Sequence, residues 1–403
     1  MKIGAIICEY NPLHNGHVYH IQETKKNGIT HVIAILSDNF VQRGDVALLN
    51  KFDRAKLALH AGADLVLELP AIYSCASAEI YATGAVNLIK QLNMINLLSF
   101  GSSTSNPNIL IKLVKNLNFI LAYHQKEIQD FIKSGNSYPL ALWKLYKIYY
   151  GEEQANLLQN ANNLLAIEYI KAIQKLNFNL ELFTIPRQDV LHDSLETSAN
   201  FASASFIRTA ILKTQENYLN YIPEETKKLL YTRLQENNFA NIQNLESVIL
   251  YKMRMISESE LLNLPDMTPA LAKRFIQARN ANSLSEFLEN IKTKCFTMAR
   301  IRRIIISAII GIQKQDLLLN QPYARILAFN QKGSELLKIL KKTSKIPLGT
   351  SLKKLANLSP EAKKFAQIEI NASHVYGLAF NKINSSEQEF KTKIKLEDIN
   401  YAE

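Results

Sequence analysis

Four short apolar runs, separated by segments of helical length, govern what the first hundred residues can become. They are Lys2–Cys8, His31–Leu36, Asp64–Leu69 and Asn96–Phe100. Each is continuous rather than alternating, which is the pattern of a strand covered on both faces. Between them, residues 17–26, Phe52–Ala61 and Glu79–Leu92 pattern as helices, with Gly62 and Pro70 as stops. Alternation of this kind builds right-handed βαβ units on a parallel sheet.

The later chain reads differently. Residues 106–176 are largely helical, broken at Ser134–Pro139, and Leu180–Pro186 returns as a fifth strand. Ser203–Lys213 opens another helix. From 216 onward helices dominate, over 223–255, 268–280, 284–291 and 297–313, with Ile326–Phe329 as a further strand candidate. The division expected is therefore an α/β domain over residues 1–215, carrying a helical insertion at 106–176, and a mainly helical, basic domain over 216–403.

Chemistry enters where the first strand ends. His14-Asn15-Gly16-His17 follows it directly and opens a helix. A helix N-terminus beside a strand C-terminal edge presents backbone N–H groups and partial positive charge to an anion. A glycine there lets the backbone lie close to a ring, and Pro12 restricts the approach to the turn. Two imidazoles three positions apart face one way and can donate to phosphate oxygens that gain charge in a transition state. His14 and His17 are thus candidate catalytic residues.

This arrangement resembles the nucleotidyltransferase superfamily that shares an H-x-G-H signature with class I aminoacyl-tRNA synthetases. The resemblance implies a Rossmann-like nucleotidyltransferase domain and a second motif opening a late helix. Ala202-Ser203-Ala204-Ser205-Phe206-Ile207-Arg208 fits it. Ser203 and Ser205 can cap the helix and donate to phosphates. Arg208 can neutralise the leaving pyrophosphate as a third catalytic group.

A narrower likeness lies in longer segments. Glu9-Tyr10-Asn11-Pro12-Leu13-His14-Asn15-Gly16-His17-Val18-Tyr19-His20 is similar to the bacterial tRNA(Met) cytidine acetate ligase family. Ser37–Asp45, Lys51–Ala55, Asn162–Tyr169 and Pro186-Arg187 continue the similarity. It implies activation of acetate with ATP to acetyl-adenylate, then acetylation of the wobble cytidine of elongator tRNA(Met) to N4-acetylcytidine. It also implies ATP contacts from Ile7, Cys8, Glu9, Tyr10, Asn11, Pro12, Leu13, His14, Asn15, Gly16, His17, Val18, Tyr19 and His20, and from Gly101, Asn162 and Arg187. Read on their own, Gly101 permits close approach after a strand or is a turn glycine. Asn162 reads a base or ribose or caps a helix. Arg187 lies at the ligand edge of the sheet or in a surface ion pair. Two positions depart from the family pattern: Ser103 stands where an acid is usual, and Asp38 where glycine often precedes Asn39.

Lys and Arg exceed Asp and Glu by 11. Such an excess favours a polyanionic partner, because phosphate contacts release counterions. Arg43, after the second strand, and Arg300, Arg302 and Arg303, within one helical turn, are the candidate tRNA contacts. Mg²⁺ is expected with the triphosphate, but no carboxylate cage is visible in the sequence. The three cysteines, Cys8, Cys75 and Cys295, form no C-x-x-C pair, so neither a disulfide framework nor a zinc ribbon is indicated. No signal peptide and no uncharged apolar stretch of about 18 residues stands out, which points to the cytoplasm. A small-molecule adenylyltransferase and a non-catalytic RNA-binding protein are the competing readings. The first leaves the long basic C-terminal part without a role, and the second leaves the His14, Gly16, His17, Ser203 and Arg208 set without one.

Overall fold

In the computed structural model, which describes residues 1–186, 201–213, 215–236 and 238–399, the first strand, β1 (Ile3–Cys8), is an interior strand of a seven-stranded sheet, third from one edge. The other strands are β2 (His31–Ser37), β5 (Leu65–Leu69), β6 (Leu97–Ser102), β7 (Glu181–Pro186), β8 (Ala324–Phe329) and β9 (Leu348–Gly349). A small antiparallel hairpin, β3 (Phe40–Val41) and β4 (Asp45–Val46), projects after β2. The order across the sheet is β7-β6-β1-β2-β5-β8-β9. The first five of these run parallel, in the registers Gly4↔Val32, Gly4↔Leu97, Ile33↔Leu65 and Leu97↔Glu181.

The apolar runs are continuous because both faces of the sheet are covered. Along β1, Ile3 and Ala5 face one buried cluster and Ile6 and Cys8 the other. Along β2, Ile33 and Ile35 alternate with Val32, Ala34 and Leu36 in the same way. Each such Ile or Val, fully buried, stabilises the fold by about 1.5–3 kcal/mol. Helices Asn15–Lys26, Lys51–His60 and Ala78–Leu92 make the crossovers, and the long insertion packs its last helix, Ala161–Leu176, against Ala78–Leu92.

The strand candidate at Ile326–Phe329 is real and belongs to this sheet. β8 pairs antiparallel with β5, so the sheet draws on chain from both sides of residue 215. Its residues split between the two clusters, Ala324 and Ile326 to one and Leu327 and Ala328 to the other. Among the described residues beyond 216, the other regular elements are helices, apart from the two-residue β9 and two isolated bridges.

The chain winds from β1 outward to β2 and β5, then returns across the sheet to β6 on the other side of β1. The strand order therefore reverses between β1 and β6. Ligands of open α/β sheets bind in the crevice outside the strand C-termini at such a point. The segment after Cys8 and the end of β6 at Gly101–Ser102 both lie there.

Candidate nucleotide site

The helix after β1 begins at Asn15, two residues earlier than its pattern suggests, because His14 is its N-cap. The Gly16 N–H donates to His14 Nδ1 (3.1 Å), and the His14 N–H donates to His17 Nδ1 (3.2 Å). This is a reciprocal capping box built from two imidazoles instead of the usual Ser and Glu. The rings stack at 3.7 Å with 29° between planes, and Tyr10 leans on His17 at 4.8 Å. With each Nδ1 accepting, a neutral ring carries its proton on Nε2. The cap thus fixes both the tautomer and the orientation of two N–H donors.

Gly16 lies tight against its neighbour. A β-carbon there would meet His14 Cε1 at 3.0 Å and Nδ1 at 3.1 Å. The glycine thus also leaves room for the His14 ring.

Three long-range bonds hold the loop above the sheet. Asn11 Oδ1 accepts from the Leu48 N–H (2.8 Å), the Asn11 carbonyl accepts from Arg208 Nη1 (2.7 Å), and the Glu9 carbonyl accepts from Arg54 Nη1 (2.6 Å). The backbone passes through a left-handed Tyr10 (φ 46) and a cis Asn11–Pro12 bond. Asn15 reaches forward to the Asn220 carbonyl at 3.0 Å. Cys8 and Leu13 are buried in the core, and Val18 packs against it, which leaves their backbone as what they can offer a ligand. Cys8 Sγ donates to the Ile35 carbonyl, and burial pushes its thiol far up. Ile7 packs partly buried on the other face of the sheet. Tyr19 rests on Phe201 at 5.9 Å. His20 faces the sheet, 2.9 Å from Ser99 Oγ.

The second motif folds as the sequence suggests. Ser203 is the N-cap of helix Ala204–Leu212 and accepts from the Phe206 N–H at 3.0 Å. Ser205 does not cap; its hydroxyl accepts from Arg208 Nη2 at 3.4 Å. Arg208 is therefore shared between the late helix and the signature loop. Burial lowers its pKa, while Asp45 and Glu9 oppose that effect. Burial likewise raises the Glu9 carboxyl, against Arg208, Arg54 and Arg43, and lowers the pKa of Arg43, against Glu9. Two acids and three guanidinium groups thus surround the loop, an electropositive setting for a polyanion.

On the other side of the crevice, Asn162 is the second residue of its helix; the N-cap is Asn160. The neighbour that sequence reasoning passed over, Asn163, is fully buried. Its Oδ1 accepts from Ser102 Oγ and the Ser103 N–H (both 3.0 Å), and its Nδ2 donates to Ser103 Oγ (2.6 Å) and the Leu157 carbonyl (3.0 Å). Ser103 therefore acts in tying the insertion to the end of β6, beside Gly101. Arg187 lies outside the described residues.

Arg54, quoted only as part of a similar segment, proves to be a hub. It is fully buried and donates to the carbonyls of Leu49 (2.9 Å), Glu9 and Asp38 (2.7 Å). Beside it, Asp38, Glu68 and Glu369 bring carboxylate oxygens within 4.8 Å of one another, the only such trio among the described residues. The Lys51 ammonium fills the centre, bonding Asp38 (2.7 Å), Glu68, Glu369 (3.3 Å) and Glu389 (2.7 Å). A divalent cation would have to displace that ammonium, so the trio is a buried ion-pair network. Burial pushes Asp38 and Glu369 up, the direction that brings four acids toward balance with Lys51 and Arg325. Asp38, one of the departures from the family pattern, is thus part of the clamp between β2 and the C-terminal helix Pro360–Leu378.

The basic helix Met298–Ile310 packs against the β3–β4 hairpin. Gly44 (φ 72) makes this possible, since a β-carbon there would meet the Arg303 backbone nitrogen at 2.5 Å. The three arginines part company. Arg300 donates from Nε and Nη2 to the Asp266 carbonyl (2.9 and 2.6 Å), and Arg303 from Nε and Nη2 to the Asp266 carboxylate (3.0 and 2.9 Å). Arg302 instead faces the hairpin, near Asp45. Among the described residues, no helix is long and apolar enough to cross a membrane.

The profile of the HIGH nucleotidyl transferases matches residues 1–392. The tRNA(Met) cytidine acetate ligase of Thermoanaerobacter sp. (strain X514) is 36% identical over 393 residues, covering 96% of this chain and 97% of its own. The chain belongs to this ligase family. The Clostridium novyi (strain NT) member is 35% identical over 402 residues, covering 97% and 98%. Thermotoga maritima TmcAL, solved with alpha-thio ATP bound, superposes with a TM-score of 0.87 at 28% identity, over 98% of this chain and all of that one. Its apo form gives 0.88 at 27% identity over the same shares.

Proposed function

We propose that this protein is an ATP-dependent ligase that acetylates the wobble cytidine of elongator tRNA(Met) at N4, acting in the cytoplasm. The observation that carries this reading is the imidazole capping box. It holds two oriented N–H donors at the sheet's switch point, beside Arg208, in a chain similar over its length to tRNA(Met) cytidine acetate ligases.

ATP lies across the crevice, with the signature loop from Ile7 to His20 on one side and Gly101 and Asn162 on the other, and Arg187 is a further proposed contact. An acetate oxygen attacks the α-phosphorus; the bond to the β-phosphate bridging oxygen breaks, and pyrophosphate leaves. The Nε2–H groups of His14 and His17 meet the phosphate oxygens as charge builds on them. Arg208, Ser203 and Ser205 take up the leaving pyrophosphate. Because the cap pre-orients the donors, little reorganisation accompanies the step. The cytidine N4 amine then attacks the acetyl carbonyl, AMP departs, and the amine loses a proton. Mg²⁺ bound to the triphosphate would supply charge neutralisation there; among the described residues the one carboxylate trio, Asp38, Glu68 and Glu369, is already paired with Lys51.

Arg43 and Arg302 contact the tRNA backbone near the crevice, and Arg300 and Arg303 hold the helix that carries this face. An unpaired wobble base reaches the site without the cost of opening a helix.

The test incubates protein with labelled acetate, ATP and bulk tRNA, followed by digestion to nucleosides. Labelled N4-acetylcytidine is the expected product. Pyrophosphate exchange driven by a different acid, with no acetylcytidine, would instead select a small-molecule adenylyltransferase.

A further inference from the structure

Transfer of the acetyl group leaves a proton that needs an acceptor. When the cytidine N4 amine adds to the acetyl carbonyl, the new amide nitrogen must shed one. The two imidazoles of the signature are poorly set up to take it. Each Nδ1 already accepts a backbone N–H of the cap, and on a neutral ring the remaining Nε2–H is a donor. Glu9 is the one acid in the loop Ile7–His20. A carboxylate and a triphosphate repel each other, so the Glu9 side chain is matched to the other substrate.

Its position lies between the two substrates. Glu9 follows directly on Cys8, at the C-terminal end of β1 and the switch point of the sheet. Glu9 Oε1 accepts from the Gln42 N–H at 2.9 Å, in the turn of the hairpin β3–β4. The same turn carries Arg43 and, through Gly44, rests on Arg302 and Arg303. The carboxylate thus stands where the signature loop meets the hairpin that faces the basic helix. Glu9 is half-buried. Its second oxygen makes no hydrogen bond or ion pair among the described residues, and it is not sealed from solvent. Burial raises this carboxyl, against the Gln42 N–H and the charges of Arg208, Arg54 and Arg43, which makes its ionised form a stronger base than an ordinary glutamate.

We propose that the Glu9 carboxylate accepts a hydrogen bond from the N4 amine of the wobble cytidine and takes up its proton as the amide forms. The inference rests on the ligase reading above. A carboxylate is the side-chain partner that accepts from the cytosine N4 donor, and it repels the O4 acceptor that uracil presents there. In the step, the N4 lone pair forms the carbon–nitrogen bond. The carbon–oxygen bond to AMP breaks, and its electron pair stays on the phosphate oxygen. One N4 proton moves to the second Glu9 oxygen and from there to solvent.

The test separates the two half-reactions in the full chain. Glu9→Gln keeps an oxygen for the Gln42 N–H and removes the base. Acetate-dependent pyrophosphate exchange reports adenylate formation. Single-turnover transfer from acetyl-adenylate to an anticodon stem-loop with a wobble cytidine reports the second step. In Glu9→Gln, transfer should fall about 10²-fold further than exchange does. Wild-type transfer should slow toward acid pH as Glu9 takes up a proton, and the variant should lack that limb. Equal losses in exchange and transfer overturn the proposal, since Glu9 then only holds the hairpin. So does an acid limb that persists in Glu9→Gln and vanishes in Asp45→Asn, which moves the base to the other acid beside the loop. Absence of acetylcytidine from the wild type removes the ligase reading and this role with it, whereas wild-type acetylation with unimpaired transfer in Glu9→Gln removes this role alone.

Discussion

Arg208 Nη1 lies 2.7 Å from the Asn11 carbonyl, a contact that joins positions 197 apart in the chain. One guanidinium therefore closes the signature loop and also brings positive charge to its rim. Arg208→Lys keeps the charge but cannot bridge the Asn11 carbonyl and Ser205 Oγ at once. We expect pyrophosphate exchange to fall on the order of 10²-fold, the loss typical of one preorganised group, with tRNA affinity held. Exchange at the wild-type rate in the lysine variant would show that charge alone suffices.

The His17 ring has two jobs that substitution can separate. Asparagine places a carboxamide oxygen near the position of Nδ1 and can keep the bond from the His14 N–H, but it has no group where Nε2 stands. His17→Asn should keep its melting temperature and lose adenylate formation. His17→Ala should lose adenylate formation and also about 1 kcal/mol of stability through the missing cap. Gly16→Ala, which presses on the His14 ring at 3.0 Å, should slow exchange with little thermal effect. Thermal melts and exchange rates on the same preparations decide this. Equal destabilisation of the asparagine and alanine variants would count against the cap.

The buried network around Lys51 predicts an acid limb. Burial alone would raise the Glu389 carboxyl, but Lys51 and Arg325 outweigh it and hold the group at about 2 against an ordinary 4.5. A depressed carboxyl favours the fold at pH above the ordinary value, and the gain drains as pH falls from 4.5 toward 2. Melting temperature should drop across that window in the wild type, and less steeply in Glu389→Gln, which starts lower. Parallel curves would remove Glu389 from the account. Lys51→Met leaves its carboxylates without their shared cation and should cost about 3–5 kcal/mol.

The arginines of helix Met298–Ile310 should separate by function. Arg302→Ala is expected to weaken tRNA binding several-fold, and more at low salt, while exchange stays intact. Arg300→Ala, whose guanidinium serves the Asp266 carbonyl, should lower the melting temperature and leave tRNA affinity near the wild type. Filter binding across a salt series, with melts, tells them apart; the opposite assignment would mean that Arg300 leaves Asp266 to meet RNA.

What the sequence determined by itself is local. Strand identity in β1, β2, β5 and β6 follows from apolar runs buried on both faces, so the parallel sheet and the position of His14, Gly16, His17 and Ser203 were legible, whereas helix Asn15–Lys26 starts two residues early because its cap is a histidine rather than Ser, Thr, Asp or Asn. Spacing within one turn also sufficed to group the two imidazoles. The tertiary structure alone decided contacts whose partners lie far apart in sequence, because no local periodicity encodes them. Arg54 reads as one cation in a helix until three carbonyls from separate segments converge on it. Asn163, not Asn162, anchors β6, since only the packed helix fixes which side chain faces inward. β8 adds to the edge of β5 from a stretch whose neighbours are all helical. Arg300 and Arg303 read as candidate tRNA contacts, yet both turn to Asp266, which the fold brings beside them.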